Sequence, residues 1–216
     1  MSTLLLILGM ALMTVVPYFL GGSNGAILVS KYILRDDIRD HGSGNAGLTN
    51  FLRVFGKSKL VALVIGTDVI KAILSLLLGM LGAKLVAWGG YSFMSTVLSK
   101  FIAGLFCELG HMFPVMFGFK GGKGVLSGGT IAIMISWKLA LVVWGSFLIL
   151  AVLTRYVSLG SVSTGVGYAI MAWVLYHDPV ILSIAIITGG LLIWAHRGNI
   201  QRLISGTESK FSIHKS

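Results

Sequence analysis

Long apolar runs dominate this chain and limit the folds available to it. They extend over about residues 3–29, 60–81, 100–117, 125–137, 139–153, 162–176 and 180–195. Because an α-helix needs about 20 mostly apolar residues to cross a bilayer, these runs predict membrane-spanning helices. Charged residues make up only 11% of the chain, about half of what a soluble domain carries. No alternation at period two is present, which argues against an outer-membrane barrel.

The fold predicted from these runs is all-α. We expect a polytopic transmembrane helix bundle with about seven spans and a single integral-membrane domain over residues 1–216. The runs at 125–137 and 139–153 are short for about 30 Å of hydrocarbon, so that one or both are tilted or the first is re-entrant. A count of five or six spans is the alternative.

The basic residues lie mainly in one set of alternating loops. That set holds Lys31, Arg35, Arg39, Arg53, Lys57, Lys59, Lys120, Lys123, Arg155, Arg197, Arg202, Lys210 and Lys215. The other set holds only Lys84, Lys100 and Lys138. Since cytoplasmic loops carry the excess of Lys and Arg, the N-terminus is predicted outside and the C-terminus in the cytoplasm. Every polar motif then falls on the cytoplasmic side. In a membrane chain, the net charge of +10 indicates anionic lipid or anionic substrates rather than nucleic acid.

The first polar motif is GSGNAGLTNFLR, Gly42–Arg53, between two apolar runs. A helix starting near Gly47 would place Thr49 and Asn50 on the face of Arg53, whose guanidinium suits two phosphate oxygens. The helix N-terminus would itself attract an anion. Its candidate ligands are Ser43, Asn45, Thr49, Asn50 and Arg53. The alternative is a capped helix after a flexible turn.

The second motif is the glycine turn, defined as residues 118–124 with the sequence GFKGGKG. Backbone amides, a following helix and lysine charge together predict a phosphate cradle. Its candidate ligands are Lys120, Gly121, Gly122, Lys123 and Gly124. It is not a Walker A loop, because it lacks the first glycine and the Ser/Thr that would hold magnesium. A tight turn with lysines as topology anchors is the alternative, and nearby His111 is interpreted as a satisfied bundle residue.

Two further polar clusters occur near the C-terminus. Ser158 and Ser161 follow Arg155, and helix capping is their default interpretation. In HRGNIQRLISGTE, His196 and Asn199 share one helical face with Arg202. That face is either a substrate clamp or part of an interfacial helix with snorkelling side chains.

Three charged residues are predicted deep in the membrane: Asp68, Lys71 and Glu108. Because intramembrane charges are costly and usually paired, we predict that Lys71 pairs with Asp68 or Glu108. The pair is interpreted as structural.

Several chemistries are missing from the sequence. No histidine is followed, after four intervening residues, by aspartate. No Cys/His set has metal-ligand spacing, so neither a metal nor a cofactor is expected. The chain carries phosphate-binding motifs without an obvious nucleophile and base.

The ordered motifs resemble a known family. GSGNAGLTNFLRVFG, the Asp68/Lys71 pair, GHMFPVMFGFKGGKG, TRYVSLGSV and HRGNIQRLISGTE are similar to those of the bacterial acyl-phosphate:glycerol-3-phosphate acyltransferases. The likeness extends over about residues 20–211. Each motif alone is weak, but the ordered set is specific. The departures are Leu48, Ala72 and Gly160, none of them at a polar candidate.

The resemblance implies acyl transfer from acyl phosphate to the 1-hydroxyl of glycerol 3-phosphate, giving lysophosphatidic acid and phosphate. This is the first acylation of phospholipid synthesis, at the inner face of the bacterial plasma membrane. It also implies roles for the candidate residues. Ser43 and Arg53 are the critical pair of the first motif, and the glycine turn with Lys123 holds glycerol 3-phosphate. His196 and Asn199 assist acyl phosphate near Ser158 and Ser161, and Glu208 braces the tail, against Arg202.

The rival interpretation is a transporter or channel for a phosphorylated anion, since broken helices with anion-binding ends suit that function too. The clustering of cations on one side argues against it. A purely structural membrane protein would need no such polar motifs. The partners expected are the two substrates and the lipid bilayer, and the sequence does not show whether the chain has protein partners.

Overall fold

The computed structural model describes residues 1–56 and 58–211. Lys57 and Lys215, which were counted among the cytoplasmic cations, lie outside that part. Its regular structure is helical, with no strand in the described residues. Contacts divide the chain into two compact units, Met1–Met134 and Ile135–Ser216, and each is described by itself.

The described part of the first unit contains six α-helices and all but the last residue of a seventh. They are α1 (Ser2–Met13), α2 (Val15–Gly22), α3 (Gly25–Leu28), α4 (Leu48–Phe55), α5 (Leu60–Trp88), α6 (Thr96–Met112) and α7 (Val125–Ile135). Shorter turns are a π-helix at Val29–Ile33 and 3-10 helices at Ile38–Asp40 and Val115–Phe117.

Helices α1 and α2 pack against α5 and α6, and α5 packs against α6. The α2–α6 crossing is close because Gly21 lies on the backbone of Cys107 and Gly110 lies on the backbone of Tyr18. Small residues at helix crossings allow this approach in membranes, where van der Waals packing drives association. Cys107 is buried in this contact.

The first apolar run is broken between Gly22 and Gly25. Helix α2 ends at Gly22, and Asn24 begins α3 by accepting a hydrogen bond from the Ile27 amide at 3.1 Å. The freed backbone groups find partners inside the protein, which is the condition under which a membrane helix tolerates a break.

The second unit contains α8 (Trp137–Thr154), α9 (Val157–Tyr176), α10 (Pro179–Ala195) and α11 (Arg197–Ile204). Helix α9 packs against both α8 and α10. Asp178 caps α10, accepting from the Val180 amide at 2.7 Å, and Pro179 occupies the first turn, where its missing N–H costs nothing. Helices α10 and α11 meet at a bend of 59° at His196.

Five helical segments are long and apolar enough to cross a membrane: Ser2–Ile33, Leu60–Trp88, Thr96–Phe117, Trp137–Thr154 and Val157–Tyr176. The bent pair α10–α11 gives a sixth. The seventh predicted span corresponds to α7, whose 11 residues reach only about 16 Å, less than the thickness of the hydrocarbon layer. The structure therefore supports five to six candidate spans, the alternative count.

Candidate functional site

The Gly42 loop, defined as residues 41–47, leads directly into α4, as predicted. Asn50 shapes this loop. Its side-chain oxygen accepts from the Ser43 amide at 3.0 Å, and its side-chain nitrogen donates to the carbonyls of His41 and Ile38 at 3.0 and 3.3 Å. Asn50 is 2% exposed. It therefore does not lie on the exposed face of α4 with Arg53, contrary to the prediction.

Thr49 and Arg53 do share the exposed face of α4, and Ser43 is exposed at the loop. Within residues 1–56 and 58–211, no carboxylate pairs with Arg53. The exposed groups of this segment therefore include one guanidinium and the hydroxyls of Ser43 and Thr49. Asn45 is half-buried.

Arg39 joins the segment before the Gly42 loop to the glycine turn. Its Nη1 donates to the Phe117 carbonyl at 2.7 Å and to the Lys120 carbonyl at 3.3 Å. Asp37 orients the guanidinium through contacts of 2.9 Å to Nε and 2.7 Å to Nη2. Hydrogen bonds from Arg39 hold the pKa of Asp37 below its usual range despite partial burial, and Asp37 raises the pKa of Arg39. In the sequence, Arg39 indicates only the orientation of the chain in the membrane, because its partners Phe117 and Lys120 lie far from it along the chain.

The glycine turn folds back on the end of α6. The Gly121 amide donates to the Met112 carbonyl and the Gly122 amide to the His111 carbonyl, both at 3.1 Å. These two amides are bound within the protein, contrary to the expectation that they face a phosphate. The cationic side chains remain at the turn, with Lys120 exposed and Lys123 half-buried.

Each of the three candidate glycines leaves room for a neighbouring group. A Cβ at Gly121 would overlap the His111 carbonyl, one at Gly122 the His111 ring, and one at Gly124 the Glu108 carboxyl group. Gly124 also has a φ of +79°, which L side chains rarely adopt. The glycines are therefore required by close packing.

A buried ion pair lies beneath the turn. Lys71 Nζ is 2.7 Å from Asp68 Oδ1, so the predicted pairing is present, and its partner is Asp68. Lys71 Nζ is also 2.7 Å from His111 Nδ1 and 3.4 Å from the Ser23 carbonyl. All three side chains are buried. Mutual contact offsets the cost of placing these charges within the spans.

Glu108 is buried against Gly124 rather than against Lys71. Within the described residues, no ion pair joins its carboxyl group to a cation. Glu108 therefore does not serve as the alternative partner of Lys71.

In the second unit, His196 lies buried at the α10–α11 bend, and its Nδ1 is 2.8 Å from the Leu192 carbonyl. This contact places a proton on Nδ1, since a carbonyl only accepts. Ser158 and Ser161 are buried in the first two turns of α9. Helix capping is the wrong interpretation for both, because the N-cap is Tyr156 and the Ser161 hydroxyl donates to the Val157 carbonyl at 2.9 Å.

Glu208 connects α11 to the tail. It accepts from Asn199 Nδ2 at 2.7 Å and from Arg202 Nε at 2.6 Å, and the predicted brace against Arg202 is therefore present. Burial opposes ionisation of Glu208, but these hydrogen bonds outweigh it and lower its pKa. Asn199 and Arg202 are thus fixed by one carboxylate.

Across the described ranges, no group of three His, Cys, Asp or Glu side chains is arranged to hold a metal ion.

Comparison with known proteins gives consistent matches along the chain. The profile of the glycerol-3-phosphate acyltransferase family matches residues 11–206. The glycerol-3-phosphate acyltransferase of Thermoanaerobacter pseudethanolicus is 35% identical over 199 residues, which cover 92% of this chain and 94% of that protein.

Two solved structures of an integral membrane glycerol 3-phosphate acyltransferase, PlsY (YgiH), are also similar. Its glycerol 3-phosphate form matches with a TM-score of 0.79 and 33% identity, over 94% of this chain and 96% of that one. Its lysophosphatidic acid form matches with a TM-score of 0.73 and 32% identity, over 98% and 95%.

Proposed function

Because this chain belongs to the glycerol-3-phosphate acyltransferase family, we propose that it transfers a fatty acyl group from acyl phosphate to the 1-hydroxyl of glycerol 3-phosphate. The products are 1-acyl-glycerol 3-phosphate, which is lysophosphatidic acid, and phosphate. The observation that carries the proposal is the full-length similarity to PlsY, whose structures are described as glycerol 3-phosphate and lysophosphatidic acid forms.

The chemistry asks the protein mainly to position two anions. In the transfer, the hydroxyl oxygen bonds to the acyl carbon, the bond from that carbon to the phosphate oxygen breaks, and the hydroxyl proton ends on a phosphate oxygen. Acyl phosphate is an activated mixed anhydride, so a protein nucleophile is dispensable. Holding the reactants together against their repulsion supplies much of the rate.

We assign Ser43 and Arg53 to a substrate phosphate, supported by the exposure of both side chains and the unpaired state of Arg53 within the described residues. Thr49 and Asn45 assist, while Asn50 holds the loop in shape. Lys123, with Lys120 and the three turn glycines, receives glycerol 3-phosphate. Here the cations bind the phosphate, because the amides of Gly121 and Gly122 already donate to α6.

In the second unit we assign His196 and Asn199 to the acyl phosphate, with Ser158 and Ser161 as neighbouring polar groups. Glu208 and Arg202 brace α11, which fixes the Asn199 amide. Asp68, Lys71 and Glu108 have structural roles.

We further propose that the polar segments face the cytoplasm of a bacterial plasma membrane, with the N-terminus outside and the chain acting as one integral-membrane domain. The distribution of basic residues supports this orientation. It requires α7 to cross the membrane despite spanning only about 16 Å, because an even number of spans would return the tail to the outside. Local thinning of the bilayer or snorkelling of the flanking side chains accommodates such a short span.

The purified protein in detergent tests the activity. Given acyl phosphate and glycerol 3-phosphate, it should release phosphate and lysophosphatidic acid, and it should not use acyl-CoA. Lys123→Ala should raise the KM for glycerol 3-phosphate by about tenfold or more. Lys84→Ala, an exposed lysine near the end of α5, is the control and should leave KM unchanged. Anion flux in vesicles without turnover in detergent would favour the transporter instead.

A further inference from the structure

A continuous set of buried polar contacts connects the Gly42 loop to the centre of the first unit. Asn24, fully buried at the break in the first span, donates from Nδ2 to the Ala46 carbonyl at 2.9 Å. The next residue, Gly25, donates its amide to Asp68 Oδ1 at 3.2 Å. The break between α2 and α3 therefore holds the loop on one side and Asp68 on the other.

The same contacts continue to the His111 ring. Asp68 Oδ1 binds Lys71 Nζ, which lies 2.7 Å from His111 Nδ1. An ammonium group only donates, so Nδ1 accepts, and the proton of the neutral ring is on Nε2. Lys71 thereby fixes both the tautomer and the orientation of the imidazole.

The oriented ring lies where the two phosphate-binding segments meet. A side chain at Gly122 would overlap both His111 Nε2 and the Ala46 carbonyl oxygen, so the turn passes between the ring and the loop. The backbone of His111 accepts the Gly122 amide as well. Both the side chain and the main chain of one buried residue thus support the glycine turn.

We propose that His111, oriented by Lys71 and Asp68, is a positioning residue that fixes the spacing between the Gly42 loop and the glycine turn. It thereby sets the affinity for glycerol 3-phosphate without contacting the reacting atoms. The inference rests on the proposed function for the identity of the phosphorylated substrate.

The test separates this role from general stability. His111→Asn keeps an acceptor for Lys71 near the position of Nδ1 but removes the ring from beneath Gly122. We expect the KM for glycerol 3-phosphate to rise by about tenfold or more, with kcat and the KM for acyl phosphate within about threefold. His177→Asn, an exposed histidine in a left-handed conformation that asparagine tolerates, is the matched control.

A second variant changes the orienting pair without leaving an unpaired buried charge. Asp68→Asn with Lys71→Met should give the same selective rise in KM, with Lys84→Met as its control. Unchanged kinetics in a folded His111→Asn protein would overturn the proposal. So would a collapse of kcat at constant KM, which would place His111 in the chemical step.

Two measurements do not depend on turnover by the variants. Equilibrium binding of radiolabelled glycerol 3-phosphate should weaken by the same factor as KM rises. If wild type binds but does not turn over, the proposed function fails while this inference is still tested. In wild type, glycerol 3-phosphate should slow hydrogen exchange in residues 42–47 and 118–124 together. Protection of one segment alone would contradict the proposal that His111 fixes the two segments relative to each other.

Discussion

At Gly122, a single hydrogen atom occupies the space between the His111 ring and the Ala46 carbonyl. The need for glycine here comes from neighbours that are distant in sequence, and Gly122 does not have a positive φ. The residue thus acts through packing, which is a different reason from the amide donation that the glycine-rich sequence suggested.

Gly122→Ala should therefore impair binding and stability together. Overpacking of this kind costs about 1–3 kcal/mol, and we expect a KM for glycerol 3-phosphate raised by about tenfold or more with a lowered Tm. Gly128→Ala is the control, because its nearest outside atom would lie at 3.6 Å, an ordinary contact, and alanine favours the helix. Steady-state kinetics in detergent measures the KM and thermal unfolding measures the Tm. Equal effects of Gly122→Ala and Gly128→Ala would contradict the packing argument.

Among the helices, α11 depends on one carboxylate outside its own bounds. Glu208 accepts from Asn199 and Arg202, which lie three residues apart on the same face. Arg202 is 46% exposed on its side chain, so solvent weakens its share of the interaction. The clamp orients Asn199, which we assign to acyl phosphate.

This clamp predicts a pH dependence. The pKa of Glu208 is lower in the folded protein than in the unfolded chain, so its stabilising contribution is complete above about pH 4.5 and is lost as the pH falls through the folded pKa. Thermal unfolding from about pH 7 to pH 3 should show a smaller acid-induced fall in Tm for Glu208→Gln than for wild type.

The expected size of that contribution is about 0.2–1 kcal/mol, the range for solvent-exposed ion pairs. A double-mutant cycle with Arg202→Gln isolates the coupling at pH 7. Identical pH profiles for wild type and Glu208→Gln would show that the clamp does not stabilise the fold.

For the whole molecule, the short helix α7 decides the membrane side of everything after it. If the N-terminus is outside, as proposed, a spanning α7 places the tail in the cytoplasm and the turn at His177 outside. Without it, these two positions exchange sides. The 11 residues of α7 are too few to settle the matter by length, whereas the basic residues of the tail favour the first arrangement.

Cysteine labelling in intact cells can distinguish the two arrangements, because the native Cys107 is buried. With a membrane-impermeant maleimide, His177→Cys should react in intact cells and Ser209→Cys only after permeabilisation. The exposed Ser92→Cys (outside) and Ser58→Cys (inside) are controls that both arrangements share. The reverse pattern at 177 and 209 would show that α7 does not cross.

Much of this protein follows from local sequence. Apolar runs of sufficient length predicted helices because every backbone polar group in a bilayer must be satisfied within the chain. The break at Asn24, the helix after Gly47 and the pairing of Lys71 three residues from Asp68 are local effects as well. The order of the motifs indicated the family, which the comparisons confirm.

Only the tertiary structure decided which groups of those motifs are available. Asn50 turned inward to hold its loop, the amides of Gly121 and Gly122 bound α6, and Arg39 reached the carbonyl of Phe117. Each of these contacts forms only when the chain folds back on itself or when distant segments pack together, so the sequence of one motif does not show it. Local pattern specifies which groups a residue has, but the distant partner determines whether a ligand or the protein itself uses them.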